Sequence, residues 1–146
     1  MARRNIVIEG DEILRKKCRK VELFDEKLAQ LIDDMSETMY DAQGVGLAAP
    51  QVGILKRIVV IDTGEGLIEM INPKIVAING EQTGPEACLS CPGESFPVKR
   101  PAAVVAIAYD RNGTEIKVCG TNLLARAICH EIDHLDGILF KDKAEK

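Results

Sequence analysis

The sequence predicts an α+β fold: a helix, a run of antiparallel strands, and a closing helix. Three observations carry this. Leu28, Leu31, Ile32, Met35 and Met39 recur at the spacing of one buried helical face. Between residues 57 and 118, β-branched runs alternate with turn formers, and Asn112-Gly113 separates two of them as a hairpin turn would. Leu124, Ile128, Ile132, Leu135 and Leu139 then restore the helical period.

The elements follow in order. Residues 1 to 20 are basic and mixed, and Cys18, inside a Lys/Arg cluster, is expected to be a surface thiol without a role. A helix starts near Asp25 and stops between Tyr40 and Ala42, with its methionines in the core rather than in any ligand set. Gly44-Val45-Gly46-Leu47-Ala48-Ala49-Pro50-Gln51 is small and nearly uncharged. Its two glycines let backbone come close to another group, or simply build a turn. With no Gly-Lys-Ser/Thr and no preceding strand, a phosphate loop fits poorly. Strand-like runs cover Ile58 to Ile61, Ile68 to Ile71, Ile75 to Ile78, Val104 to Tyr109 and Thr114 to Val118. Thr121 or Asn122 can cap the last helix, and Gly137 can end it. No repeat, linker or low-complexity segment interrupts the chain, so one domain spanning 1–146 is expected.

Composition narrows the class. Apolar residues make up 46%, with no Trp, two Tyr and three Phe, so the core must be aliphatic. A net charge of -4 argues against a dedicated nucleic-acid surface. No apolar run is long enough for a membrane span, and Ile6-Val7-Ile8 after Arg3 and Arg4 is too short for a secretory segment. Five cysteines form no regular framework, which suits a reduced, cytoplasmic compartment.

Both histidines of the chain stand in His130-Glu131-Ile132-Asp133-His134. Two imidazoles four residues apart on a helix lie about 6 Å apart along the axis, on nearly one face, where one ion can take both. Glu131 adjoins the first, within reach of a water on that ion without being a ligand itself. H-E-x-x-H is the pattern of a metal-dependent hydrolase with the glutamate as general base. An amphipathic helix with two surface histidines would spell the same letters. The apolar stripe argues against that, because buried imidazoles need partners and a metal supplies them. The expected architecture is therefore antiparallel β-sheets packed around a C-terminal metal-binding helix, with a helix near the N-terminus.

A third ligand is needed. His134-x-x-Gly137 matches the extended metalloprotease motif, but the position of its third histidine holds Phe140. Asp142 and Glu145 lie in a short charged tail poorly suited to return, which leaves cysteine, upstream, as the best candidate type. Cys88 and Cys91 spell C-x-x-C in Glu86-Ala87-Cys88-Leu89-Ser90-Cys91-Pro92-Gly93. Redox and zinc-knuckle readings of that pair are weakened by the absence of a βαβ context and of a second C-x-x-C. Cys129 points about 100° away from His130 on the helix and belongs to the core. Cys88, in a loop rich in turn formers, is the better ligand.

Together the three segments resemble the peptide deformylases, a family marked by G-x-G-L-A-A-x-Q, E-G-C-L-S and H-E-x-D-H in that order. Here they stand as Gly44 to Gln51, Glu86 to Ser90 and His130 to His134, and Leu123-Leu124-Ala125-Arg126-Ala127-Ile128 extends the likeness. The resemblance implies that Cys88, His130 and His134 hold one divalent metal, usually iron(II) in the family, with zinc and nickel able to occupy the site. It implies that Glu131 moves the proton from the attacking water to the departing amine. The Gln51 amide and the Leu89 backbone N–H would steady the oxyanion. Gly46 would pair with the substrate backbone, while Val45, Leu123 and Ala127 line a methionine pocket. Glu86 and Arg100 would pair to fix the cysteine loop. The implied reaction is removal of formate from N-formylmethionine on nascent chains.

Three departures from the family pattern stand out. Ala87 replaces the usual Gly and is expected to be extended, Cys129 replaces the usual Gln, and Ser95 leaves in question a substrate contact that an arginine makes in some members. The chain also ends nine residues after Gly137, without the long helix some members dock on the ribosome, so at most a transient ribosome contact is expected.

Overall fold

The computed structural model describes residues 3–145; positions 1, 2 and 146 of the expected domain lie outside the described residues. Among these are two helices, α1 (Glu26–Asp41) and α2 (Asn122–Leu135). The strands are β1 (Gly46–Ala48), β2 (Ile58–Ile61), β3 (Ile68–Asn79), β4 (Gln82–Cys88), β5 (Cys91–Arg100), β6 (Ala103–Tyr109) and β7 (Glu115–Thr121). Five strands make an antiparallel sheet ordered β1-β2-β3-β6-β7, and β4 pairs with β5 in a separate hairpin. The α+β class holds.

The five-stranded sheet lies between the two helices, which explains the unbroken apolar run of β2. Ile58 and Val60 face α1, packing with Leu28, Leu31, Ile32, Met35 and Met39. Val59 and Ile61 face α2, packing with Ala125, Ile128, Cys129, Ile132 and Leu135. A strand buried on both faces reads as continuous hydrophobics rather than alternation. Asp25 caps α1, its carboxylate accepting the Leu28 N–H at 3.0 Å. Gly113, at φ +83°, turns the β6–β7 hairpin as its Asn-Gly signal predicts.

Several expectations need correction. Ile68 to Ile71 and Ile75 to Ile78 are one strand, β3, irregular between Ile71 and Lys74. Asn72, at φ +53°, takes up the irregularity and ties its side chain to the backbone of Val21. The cysteine segment is no loop: Glu86 to Cys88 end β4 and Cys91 begins β5, with only Leu89 and Ser90 in the turn. Part of the glycine segment is the short strand β1. Cys18 is buried in the core, its N–H donating to Leu135 O at 2.8 Å. Thr121 takes the N-cap position of α2 without a side-chain capping bond. The tail does return, though not to the histidines with its carboxylates: Ala144 bridges to Val98, the Glu145 N–H donates to Pro97 O at 2.7 Å, and Asp142 pairs with Arg15.

Candidate metal centre

Helix α2 is wrapped on both sides, by the five-stranded sheet and by the β4–β5 hairpin. Arg126, His130, Glu131 and His134 are therefore buried along with its apolar stripe. The rings of His130 and His134 stand 5.0 Å apart. The end of β4 brings Cys88 against them, its Sγ 3.3 Å from His134 Nε2. One ligand atom each from Cys88, His130 and His134 lies within 4.8 Å of the others. Sulfur and nitrogen bound tetrahedrally at about 2.3 and 2.0 Å would stand about 3.5 Å apart, so the donor set fits one cation. Phe140, in the tail, covers the group, its ring 5.9 Å from that of His130.

Glu86 organises the far side of this group. Its Oε1 meets His130 Nδ1 at 2.5 Å, which leaves Nε2 of that ring for the cysteine side. Its two oxygens also accept from Arg100 at 2.6 and 3.1 Å and from Arg126 Nη1 at 2.7 Å. Arg100 reaches on to Asp133 at 2.7 Å, and Arg126 to Val98 O at 3.1 Å. Burial raises the Glu86 pKa, but His130 and Arg100 outweigh it and hold the carboxyl down at about 2.

The remaining residues meet at a cleft of about 440 Å³. Val45, Gly46, Gln51, Leu89, Leu123, Ala127, His130 and Glu131 line it. Gln51 is fixed at its oxygen by the Ala48 N–H at 2.9 Å, and its amide nitrogen donates to Ser90 Oγ at 3.1 Å and points at Cys88 Sγ at 3.6 Å. A Cβ on Gly46 would stand 2.6 Å from Glu131 Oε2, so the glycine is what admits that carboxylate. Glu131 Oε1 and His134 Nδ1 are buried without a partner among the described groups. The Glu131 orphan, beside a three-donor set, is what a water on a bound ion would satisfy, whereas His134 Nδ1 lies on the far side of its ring from Cys88.

The sequence profile of the polypeptide deformylases matches residues 3–146. The chain belongs to the polypeptide deformylase family. A peptide deformylase of Acetivibrio thermocellus is 63% identical over 143 residues, covering 98% of this chain and 84% of that one. That of Alkaliphilus metalliredigens is 57% identical over 146 residues, covering 100% and 99%. Among solved structures, the peptide deformylase from Thermotoga maritima superposes with a TM-score of 0.98 at 37% identity, covering 100% of both chains. The Synechococcus elongatus peptide deformylase, solved in complex with actinonin, does so at 0.95 and 43%, covering 97% and 79%. A deformylase is a metal-dependent hydrolase that removes the formyl group from the N-terminal formylmethionine of newly made polypeptides, and that is the activity of this chain.

Within the deformylase site, charge is arranged by burial and by neighbours. Burial works against the His130 cation, yet Glu131, Cys88 and Glu86 outweigh it and raise the imidazole to about 10. Burial and the charge of His130 push His134 down to about 3. Burial lifts the Glu131 carboxyl to about 7, near the range where one group both takes and returns a proton. Ala87 is extended in β4, as expected. Ser95 is exposed on β5. Sequence reasoning missed Arg126, Asp133 and Ser90. Arg126 carries a readable signal, since it lies four residues before His130 and so on the ligand face of the helix. A second set, Glu9, Cys91 and Glu94, is filled by the Lys141 ammonium, which pairs with both carboxylates.

Proposed function

We propose that residues 1–146 form one catalytic domain in which Cys88, His130 and His134 hold a single iron(II) ion and Glu131 moves the proton. The convergence of three donors on one point, with the Glu131 carboxylate beside them at the end of the cleft, carries this reading. One thiolate and two imidazoles also suit zinc and nickel; iron(II) is taken as the ion usual in the family. When bound, the ion supplies a Lewis acid that polarises the formyl oxygen and makes a water acidic.

The side chains do the rest. Glu131 accepts the proton of the attacking water and passes it to the amine as the C–N bond breaks, so formate and a free N-terminus leave. Gln51, held at its oxygen, offers an N–H to the oxygen on which negative charge develops, and the Leu89 backbone N–H offers a second. Strand β1 is the edge of its sheet, so the Gly46 backbone can add the substrate as a further strand. Val45, Leu123 and Ala127 give the methionine side chain an apolar wall. Glu86, Arg100 and Arg126 keep His130 in one tautomer and the β4 end in place. The protein would act in the cytoplasm on nascent formyl-Met polypeptides, with a transient contact to the ribosome.

The test is an anaerobic assay of formate release from a formyl-Met peptide. Glu131→Gln should keep its ion and lose at least about 100-fold in kcat. Undiminished activity in that variant would remove Glu131 from the mechanism.

A further inference from the structure

The C-x-x-C pair is only half used by deformylation: Cys88 belongs to the proposed metal centre, and Cys91 has no part in it. Both thiols are free and buried, in one apolar cluster with Val98 and Phe140. They are register partners across the Leu89-Ser90 turn. Antiparallel partners stand about 4.5 to 5.5 Å apart at Cα, inside the range of about 4.4 to 6.8 Å that a disulfide requires. Their access differs. Cys88 lines the cleft, whereas Cys91 is 1% exposed and does not.

We propose that Cys91 is a resolving thiol for Cys88: a hydroperoxide entering by the cleft oxidises Cys88, and Cys91 captures the product as an intramolecular disulfide. In the first step the Cys88 sulfur attacks a peroxide oxygen. The S–O bond forms, the O–O bond breaks, and the departing oxygen leaves as water with a proton from solvent, because Cys88 on the metal is already a thiolate. In the second, the Cys91 sulfur attacks the Cys88 sulfur. The S–S bond forms, the S–O bond breaks, and hydroxide leaves as water with the Cys91 proton. One thiolate and one thiol are oxidised by two electrons and one hydrogen peroxide is reduced to two waters. The outcome stops on a reversible rung, ahead of the sulfinic and sulfonic acids from which a ligand thiol does not return. While paired, Cys88 cannot bind metal, so capture releases the ion and dithiol reduction restores the site.

The loss of the ion rests on the proposed ligand set; the disulfide itself does not. The experiment treats the metal-loaded protein with a several-fold molar excess of hydrogen peroxide, alkylates it, and reads the peptide carrying both cysteines by mass spectrometry, with bound metal measured before oxidation, after it, and after dithiothreitol. In the native protein that peptide should lose two hydrogens and resist alkylation, and metal binding should return in full on reduction. Cys91→Ala, or the better-filling Cys91→Val should alanine fold poorly, should instead gain two or three oxygens at Cys88 with no recovery. Oxygens on Cys88 of the native protein with Cys91 still open to alkylation, or a disulfide from Cys88 to Cys129, would overturn the proposal. Metal content before oxidation, compared with Cys88→Ala, reports separately on the ligand set.

Discussion

The carboxylate of Glu131 occupies the space that a methyl group would need at Gly46. The Gly46 backbone has no left-handed φ to justify glycine, so the reason is steric and the neighbour is the carboxylate proposed to move the proton. Gly46→Ala must therefore displace Glu131 or strand β1. The expected result is a loss of kcat larger than the loss of thermal stability, measured by formate release beside the melting temperature. Gly44→Ala would meet the Leu89 side chain instead, at 2.6 Å, and should perturb the turn that carries the Leu89 N–H. Charge at the ligands gives a second prediction at this scale. In the metal-free site His130 titrates near 10 and so carries a proton at neutral pH. An ion can bind only by expelling it, so affinity should rise with pH and binding should release at least one proton per ion. Calorimetry in buffers of different ionisation enthalpy counts that proton, and a count of zero would contradict it.

At the scale of elements, the Glu86 cluster joins β4, β5 and α2 through one buried carboxylate. Removing one partner of a buried pair costs about 3 kcal/mol or more, so Glu86→Gln should lower stability at neutral pH by that order. The pH dependence has a definite sign. The folded-state pKa of Glu86, about 2, lies below its ordinary 4.5, so its contribution is complete above 4.5 and is lost as pH falls toward 2. The gap between native protein and Glu86→Gln should narrow on acidification in denaturant titrations. A gap that widens would place the stabilising charge elsewhere. This cluster also explains what the sequence left hidden. Helices α1 and α2, strand β2 and the β6–β7 hairpin were legible because each buries an apolar face with its own period or carries its own turn. The β4–β5 hairpin has Gly84, Pro85, Pro92, Gly93 and Pro97 and little alternation, so it reads as a loop. It is a hairpin because α2 and Phe140 lie under it and because Arg100 and Arg126 meet Glu86 from 14 and 40 residues away. Contacts of that range leave no local signal of pairing, and Arg126 is marked only by its place four residues before His130. Strand β1, three residues long, exists through its pairing with β2 and is too short to show a period.

At the scale of the molecule, two sheets close on one helix, and the face that carries the ligands is the face they bury. With the proposed ligands, metal and fold are linked, since an ion held by Cys88, His130 and His134 binds only their folded arrangement. At a free concentration of 100 times Kd, such binding adds about 2.7 kcal/mol. Chelation should therefore lower the melting temperature, and the same chelator should leave Cys88→Ala unchanged. The four site residues most legible from sequence, Cys88, His130, Glu131 and His134, are those whose chemistry demands a residue type. Of the residues that hold them in place, Glu86 and Arg100 were named through the family resemblance, and Asp133 and Ser90 emerged only once the chain was folded. X-ray absorption at the metal edge tests the central claim most directly. The ligand set predicts one sulfur at about 2.3 Å and two imidazole nitrogens at about 2.0 to 2.1 Å around a single ion. A shell of nitrogen and oxygen without sulfur would contradict it.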